Sequence, residues 1–408
     1  MNTPHKPRPA RLAAVVLAAA GTASGTPRTH APAAAPPSAP AGPVRRGRWI
    51  VPAEGTCAMP VWGIQGGIAV GLWPMPGPRG LLRVYAPYLG HPPGRMINFI
   101  AVEPVVGGRR GLSELERSRL DARPGLRMWT ADTMPHGSRP ALPWQPARPR
   151  FIRIGEARAL TFYVLVEPFR SGARPILQVI LREDRPFEIA LRVFTAAGGA
   201  KMTACCLTAT MGNYARLRRL WLRGGPVRAG DLWPGFRPRG PRLGGFAPHR
   251  QWGVDRMVTI GSDAVVAATP DERDPAGAAH DRRVPPGWRY RGRPAVQYWI
   301  SQTRAGLAVR VNGRRTYWNS LVEIPGGVSF ENFELHAPFR AGQEFRFGVA
   351  PRPGDFAGVT RTWLESTYRT RAASRPAERA GVAGEAPDAL ARSRRASIVR
   401  RSTSASRS

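Results

Sequence analysis

Apolar and polar residues alternate along most of the chain between residues 49 and 370, in short runs that Gly and Pro interrupt. A period of two is typical of a β-strand with one face on a core, whereas amphipathic helices repeat every three to four residues. The pattern predicts a mainly β protein, a large antiparallel β-sandwich with one short helix and long Gly- and Pro-rich loops. The segments with the strand pattern are 67–73, 81–86, 96–103, 160–167, 176–181, 187–196, 201–210, 264–269, 295–301, 307–318, 328–335 and 344–350.

The predicted helix covers residues 111–122. Ser113 stands where an N-cap would, Glu116 follows three positions later, and leucines at 115 and 120 give the segment an apolar side. A serine followed by a glutamate at this spacing is a helix-start signal. The segment therefore predicts a short helix.

Turn residues predict how the strands are connected. In 307–318, the dipeptide Asn312-Gly313 stands between alternating residues and predicts a two-residue hairpin turn. Segments 223–256 and 270–294 are rich in Gly, Pro and Arg and have few apolar runs. We expect them to be long loops over one rim of the sandwich, where loops of this length are often functional.

The segment LTATMGNYARLRRLWL, residues 207–222, allows two interpretations. A helix would place Leu217 and Leu220 on one stripe, whereas a strand would place Arg216 and Arg218 on one face, with an irregularity near Arg219. The β-rich neighbourhood and the Gly pair that follows favour the strand. In that case Asn213, Tyr214 and Arg216 can bind a polar ligand at the rim of the sheet, or simply face water.

The N-terminal residues resemble an export signal. Lys6, Arg8 and Arg11 precede the apolar run LAAVVLAAA, and small residues follow it. This order predicts a signal peptide over 1–25 and a protein that is exported to the periplasm or the extracellular space. The apolar run is too short to be a transmembrane anchor.

Composition divides the remaining chain into three parts. Residues 26–48 are rich in Pro and Ala and predict a linker, and residues 371–408 are rich in Ser, Arg and Ala and predict a disordered basic tail. Between them we expect a β-sandwich domain over 49–370.

The net charge of +34 raises the question of a nucleic-acid or other polyanionic partner. Only two of the 61 basic residues are lysines, however, and the arginines are spread along the whole chain. An arginine-rich chain with abundant Ala, Gly and Pro is typical of a GC-rich genome. No nucleic-acid-binding motif accompanies the charge, so a solvated basic surface is the favoured interpretation.

The cysteines and histidines predict no metal site and no disulfide framework. If Cys205 and Cys206 lie in a strand, they point to opposite faces and do not bond to each other; Cys57 could pair with either. No pair of histidines has the spacing of metal ligands. Phosphate-loop, dinucleotide and nucleophile-elbow motifs are also absent from the sequence, so we expect no cofactor.

Candidate site residues come from loops and from aromatic positions. Glu331 lies where the step Glu331-Asn332 interrupts the alternation of SFENFEL, which predicts a β-bulge and a carboxylate that can face a pocket. His249, in a Pro-rich loop, could be its acid–base partner, and so could His91. Exposed aromatic side chains could stack on sugar rings, although most tryptophans belong in the core. The predicted ligand-binding residues are Asn213, Tyr214, Arg216, Trp299, Trp318 and His91.

Several phrases together resemble a group of uncharacterised, exported bacterial proteins, over about residues 60–350. They are RVYAPYLG, INFIAVEP, TATMGNYARLR, PAVQYW and GGVSFENFEL. The segment SFENFELHAPFRAGQEFRFGV is also distantly similar to the last strands of galactose-mutarotase-like supersandwich folds, without that family's catalytic histidines at recognisable positions. This second resemblance implies a supersandwich-like fold and a sugar ligand, but no particular reaction.

Three functions are consistent with these observations. The first is an exported β-sandwich protein that binds, and could process, a carbohydrate or glycan. The second is a non-catalytic envelope or surface protein whose loops bind a partner, and the third is a basic binder of polyanions or nucleic acid. The sequence does not decide whether the protein is an enzyme.

Overall fold

The computed structural model describes residues 44–351, except 56, 58–59, 73–78, 87–97, 136–144, 211–215, 239–244, 271–294, 317–321 and 325. The described chain forms two antiparallel β-sheets that enclose one large apolar core. The prediction of a mainly β, sandwich-like architecture is confirmed. No helix in the described ranges is long and apolar enough to span a membrane.

Sheet I contains eleven strands, with β7 paired to the side of β6. In spatial order its strands are β1 (Val44–Arg46), β2 (Trp49–Val51), β3 (Val61–Ile64), β4 (Ala69–Gly71), β5 (Leu81–Tyr85), β6 (Asn98–Val106), β13 (Ala204–Thr210), β21 (Ser329–Pro338), β20 (Ala308–Arg314) and β16 (Ala247–Gly253), with β7 at Arg109–Arg110. The chain leaves this sheet after β7 and returns to it at β13, so its centre is assembled from distant segments.

Sheet II also contains eleven strands, with β17 paired to β18 and β9 paired to β10. Its order is β15 (Gly225–Arg228), β14 (Leu217–Leu222), β18 (Asp263–Pro270), β19 (Ala295–Gln302), β22 (Gln343–Pro351), β12 (Glu188–Thr195), β11 (Pro175–Arg182), β10 (Ala157–Val166) and β8 (Met128–Ala131), with β17 at Val258–Ile260 and β9 at Arg150–Ile154. A short helix, α1 (Ala229–Leu232), and a 3-10 helix (Val254–Arg256) complete the described elements.

Alternation along the strands builds the core between the sheets. In β10, Leu160, Phe162 and Val164 point inward, and the ring of Phe162 stacks on Trp62 of β3 with 4.2 Å between ring centroids. Complete burial of one such side chain contributes about 1.5–3 kcal/mol. The period of two in this segment of the sequence therefore corresponds to the inward and outward faces of β10.

The described parts of the segment 207–222 are strand, as the β-rich context indicated: β13 ends at Thr210 and β14 covers Leu217–Leu222. Strand β14 directs Leu217 and Leu220 into the core, and its register with β18 shifts between Leu217 and Arg219. The expected irregularity is therefore present, one residue earlier than the sequence suggested. Arg218 and Arg219 are nevertheless buried rather than exposed to solvent.

The predicted hairpin turn at Asn312-Gly313 is wrong, because β20 runs straight through both residues. The Asn312 side chain accepts a hydrogen bond from the backbone N–H of Asn332 at 2.9 Å, beside a shift in register between β20 and β21. That shift is the β-bulge predicted at Glu331-Asn332. Gly313 is required because a Cβ there would lie 2.8 Å from the Trp233 ring. Tertiary packing has overridden the turn signal.

The predicted helix over 111–122 is also wrong, because turns replace it. Ser113 does not cap a helix. Its hydroxyl accepts a hydrogen bond from Val102 N–H at 2.9 Å and donates one to the carbonyl of Gly80. The Glu116 carboxylate accepts the backbone N–H of Arg170. Both side chains that would have started the helix are therefore hydrogen-bonded to residues outside the segment 111–122.

Two boundaries also differ from expectation. The predicted loop 223–256 contains β15, α1 and β16, whose polar, exposed residues suit an edge strand and carry no apolar run. The first described strand, β1, lies inside the segment 26–48 that was predicted as linker. The predicted loop 270–294 lies, apart from its first residue, outside the described residues.

Candidate functional site

The outer face of sheet I, which points away from the core, carries a cluster of interacting polar side chains. In β13, Cys205, Leu207 and Ala209 belong to the core. Since successive side chains alternate, Cys206 and Thr208 point to the outer face. The central strands β6, β13, β21 and β20 all contribute residues to this face.

Strand register brings residues from distant segments side by side. Glu103 of β6 is opposite Cys206, and Cys206 is opposite His336 of β21. One step along the strands, Thr208 is opposite Glu334, which is in turn opposite Arg310 of β20. Directly opposed residues on one face have Cβ atoms about 4.5–5.5 Å apart, so these side chains are in mutual contact range.

Arg110 lies across this face from β7 and covers it. Its guanidinium forms an ion pair with Glu103, lies 2.9 Å from a Glu334 carboxylate oxygen and donates to the Thr208 hydroxyl at 3.0 Å. Glu103 and Glu334 are each only 1% exposed. Buried carboxylates require such partners, because an isolated charge in a low-dielectric interior costs several kcal/mol.

Glu334 is also the partner of a histidine at the surface. Its Oε1 lies 2.9 Å from Nε2 of His249 in β16, whose side chain is 36% exposed, and its Oε2 lies 3.6 Å from Arg310. Burial would raise the pKa of the Glu334 carboxyl, but the hydrogen bond to His249 and the charge of Arg110 outweigh it and lower the pKa to about 2. Glu334 is therefore an ionised carboxylate that fixes the imidazole ring.

A second carboxyl group, Glu114, behaves in the opposite way. Burial raises its pKa to about 7, although the positive charge of Arg110 opposes the change and the negative charge of Glu334 adds to it. Its Oε2 has no hydrogen-bond partner within the described chain. Two interacting carboxyl groups whose pKa values are pushed apart are typical of sites that transfer protons.

Three potential metal ligands meet in this cluster. One atom each of Glu103, Cys206 and Glu334 lie within 4.8 Å of one another, although no spacing in the sequence predicted it. Thiolate and carboxylate groups can bind zinc, but the Arg110 guanidinium already bonds both carboxylates. In the folded protein the positive charge of Arg110 therefore already holds the cluster together. Arg110 would have to move before a metal ion could bind.

The thiols in the fold are protected. Cys57, Cys205 and Cys206 are buried, and Cys205 and Cys206 point to opposite faces of β13 as the sequence indicated. Burial raises the pKa of Cys205 to about 12, and it also raises the pKa of Cys206. Low thiolate content makes both groups poor nucleophiles.

The two predicted catalytic residues are not partners. His249 is paired with Glu334, whereas Glu331 lies 3.2 Å from the buried Arg314 guanidinium. The Phe246 ring covers Arg314, with 4.6 Å from the guanidinium carbon to the ring centroid. Glu331 is therefore part of a closed ion pair at the bulge, three residues before the carboxylate that reaches His249.

The structure describes two of the six predicted ligand-binding residues. Arg216 is buried immediately before β14, with a positive φ of 44°. Trp299 lies in the core rather than at a ligand-facing surface, and its indole N–H donates to the Phe333 carbonyl at 2.8 Å. The remaining predicted residues lie outside the described residues: His91, Asn213, Tyr214 and Trp318.

Sequence reasoning missed most of the cluster. It did not select Glu103, Glu114, Arg110, Arg310, Thr208, Cys206, His336 or Glu334. One signal was available in β21, where Phe333, Leu335 and Ala337 alternate with Glu334 and His336 and so predict that the two polar residues share one face. The contributions of β6, β7 and β16 depend on strand pairing and have no comparable signal.

No family model matches this chain, and no match was found among curated proteins. The resemblances noted above therefore rest on the quoted phrases alone, and any function must be argued from the site.

Proposed function

We propose that the protein binds a carbohydrate on the outer face of sheet I and acts on it by proton transfer, with His249 as the acid–base group. The observation that carries the proposal is the 2.9 Å contact between the partly exposed His249 ring and the buried Glu334 carboxylate. A buried carboxylate that orients an imidazole is a recurring arrangement in general acid–base catalysis. In this proposal Glu334 is a positioning residue and His249 contacts the substrate.

The surrounding side chains suit a polyhydroxylated ligand. Arg110 and Arg310 are each partly exposed and present guanidinium donors, and His336 lies on the same face. Phe99 of β6 is partly exposed on this face, because its neighbours Ile100 and Val102 point into the core. Sugars combine hydroxyl groups that bond to such donors with an apolar ring face that packs on an aromatic side chain.

Glu114 would supply the second proton-transfer group. Its pKa of about 7 keeps a substantial fraction of the carboxyl protonated near neutral pH, which is the state that a general acid requires. The ionised Glu334 and the protonated Glu114 interact electrostatically through the same guanidinium, that of Arg110. The reaction we propose is the hydrolysis or epimerisation of a sugar, outside the cytoplasm if the predicted export signal operates.

The experiment compares two glutamates of the same strand. Binding of a panel of oligosaccharides is measured by calorimetry, and turnover of any sugar that binds is followed by release of reducing ends and by polarimetry. Glu334→Gln and His249→Ala should each lower kcat/KM at least about hundredfold, the usual contribution of an acid–base group. Glu331→Gln, which also removes one charge from a buried Arg–Glu pair, should retain most of the activity.

The separate effects on kcat and KM distinguish a positioning role from a structural one. Glu334→Gln should lower kcat while folding and KM change less, because the carboxylate no longer orients the imidazole ring. The proposal is overturned if no oligosaccharide binds, or if Glu331→Gln and not Glu334→Gln removes activity.

A further inference from the structure

A groove lies at the open edge of the sandwich, six strands away from Glu334 in the order of sheet I. It has a volume of about 390 Å³ and is lined by Gly47, Arg48 and Trp49 from the β1–β2 hairpin of sheet I and by Phe151, Arg158 and Glu183 from sheet II. The two sheets therefore form opposite walls of the groove.

The groove is basic. Arg48 and Arg158 of its lining are exposed, and the exposed Arg153, outside the lining, is directly opposite Arg158 in the pairing of β9 with β10. Like charges directly opposite each other on one face are destabilising unless an anion lies between them. Among the acidic side chains near this edge, Glu54 pairs with Arg148 and Asp184 pairs with Arg182, whereas Glu183 lines the groove itself.

An aromatic ring lies beside these charges. Phe151 is 43% exposed, one of two large apolar side chains this exposed in the described chain. Its ring contacts the edge of Trp49 at 5.6 Å between centroids and the Arg158 guanidinium at 5.8 Å. The ring is therefore held in place while part of it stays open to a ligand.

We propose that this groove binds an acidic polysaccharide, a chain of uronic acid residues. Guanidinium groups bind carboxylates through paired, charge-assisted hydrogen bonds, and the exposed part of Phe151 can pack on a sugar ring. The groove also contains a carboxylate, Glu183, whose Oε1 accepts the Arg158 backbone N–H at 2.7 Å. Sugar hydroxyl groups can donate to this carboxylate, so a uronic acid chain can use both the guanidinium donors and the Glu183 acceptor of the groove.

This inference does not depend on the proposed activity. The groove residues are on other strands than His249 and Glu334, so a chain held here could be bound whether or not the outer face of sheet I is catalytic. The groove would anchor a polymer, whereas the proposed site at Glu334 would act on one sugar.

The test measures binding of oligogalacturonate to the full chain at fixed ionic strength. Fully methyl-esterified oligogalacturonate, which has the same rings without the charge, is the matched ligand, and single-stranded RNA is the competing polyanion. Arg158→Ala and Phe151→Ala should each weaken binding of the acid form about tenfold, because the first removes a charged hydrogen-bond donor and the second removes the ring that packs on the sugar. Arg223→Ala, at an exposed turn beside the opposite edge of sheet II, is the control and should bind as wild type does.

His249→Ala should also bind oligogalacturonate unchanged, which keeps this result separate from the proposed activity. The groove proposal is overturned if the methyl ester binds as well as the acid, if Arg158→Ala and Phe151→Ala have no effect, or if RNA binds more tightly through the same two residues. Loss of binding in His249→Ala with full binding in Arg158→Ala would place the ligand at sheet I instead.

Discussion

At the scale of single residues, Glu331 and Glu334 show how environment decides what a carboxylate does. Both are buried on β21 and both contact an arginine. Glu331 has one guanidinium partner under an aromatic ring, whereas Glu334 meets two arginines and a histidine that reaches solvent. Of the two glutamates, only Glu334 contacts a group that a substrate could reach, the His249 imidazole.

Glu114 makes a pH-dependent contribution to stability. Its pKa is raised in the folded protein to about 7 from an ordinary 4.5, so the folded state holds this proton more tightly than the unfolded state does. The stabilisation is complete below about pH 4.5 and is lost as the pH rises through about 7.

We therefore compare the free energy of unfolding of Glu114→Gln with that of wild type. The difference, variant minus wild type, should increase by more than about 1 kcal/mol between pH 5 and pH 8. Urea unfolding at both pH values gives the two free energies of unfolding. Glu114→Asp keeps a carboxyl group there and should retain part of the wild-type dependence. A difference between wild type and Glu114→Gln that is the same at pH 5 and pH 8 would show that Glu114 titrates normally.

At the scale of elements, strand β20 shows why local signals fail. Asn-Gly is a strong hairpin signal because both residues tolerate positive φ. In β20 the two residues serve other purposes: Asn312 accepts a hydrogen bond at the bulge, and Gly313 leaves room for Val328 and Trp233. α1 and its flanking residues can therefore approach the strand this closely only because residue 313 is a glycine.

Gly313→Ala should destabilise the protein by about 1–3 kcal/mol, because the added Cβ would lie 2.7–2.9 Å from Val328 and Trp233. Gly230→Ala in α1 is the matched control, since its Cβ would meet no atom within 4 Å and alanine favours helix. Thermal unfolding of both variants gives the comparison. Equal melting temperatures for the two variants would contradict the packing argument.

At the scale of the whole molecule, polar contacts as well as apolar packing join the two sheets. The Asn98 side chain of β6 donates to the Gln297 side chain of β19 at 2.8 Å, and the Trp299 indole of β19 donates to Phe333 of β21. These hydrogen bonds cross the core, where an unpaired polar group would be costly. Separation of the sheets would break them together with the packing, which favours cooperative unfolding.

Thiol accessibility is a measure of that cooperativity. Cys57, Cys205 and Cys206 are each fully buried, so a thiol reagent should modify none of them in the native protein and all three after unfolding. In increasing urea, the labelled fraction should follow the loss of tryptophan fluorescence signal. Labelling of one cysteine well before the fluorescence transition would show that part of the sandwich opens separately.

Several features were predictable because they depend on local chemistry. The alternation in β10 and β21 identified strands and their core faces, and the interruption at Glu331-Asn332 identified the bulge. The helix over 111–122 was wrong because Ser113 and Glu116 bind partners on distant segments, which a local pattern does not contain.

The sequence by itself determined the class of fold, since side-chain periodicity alone distinguishes strands from helices. It also determined that Cys205 and Cys206 are on opposite faces. Only the tertiary structure decided that His249 is paired with Glu334 and that Arg110 bridges Glu103 and Glu334. Those contacts join β6, β7, β16 and β21, and the pairing of strands so far apart in the chain is set by the packing of the whole sheet rather than by any one segment.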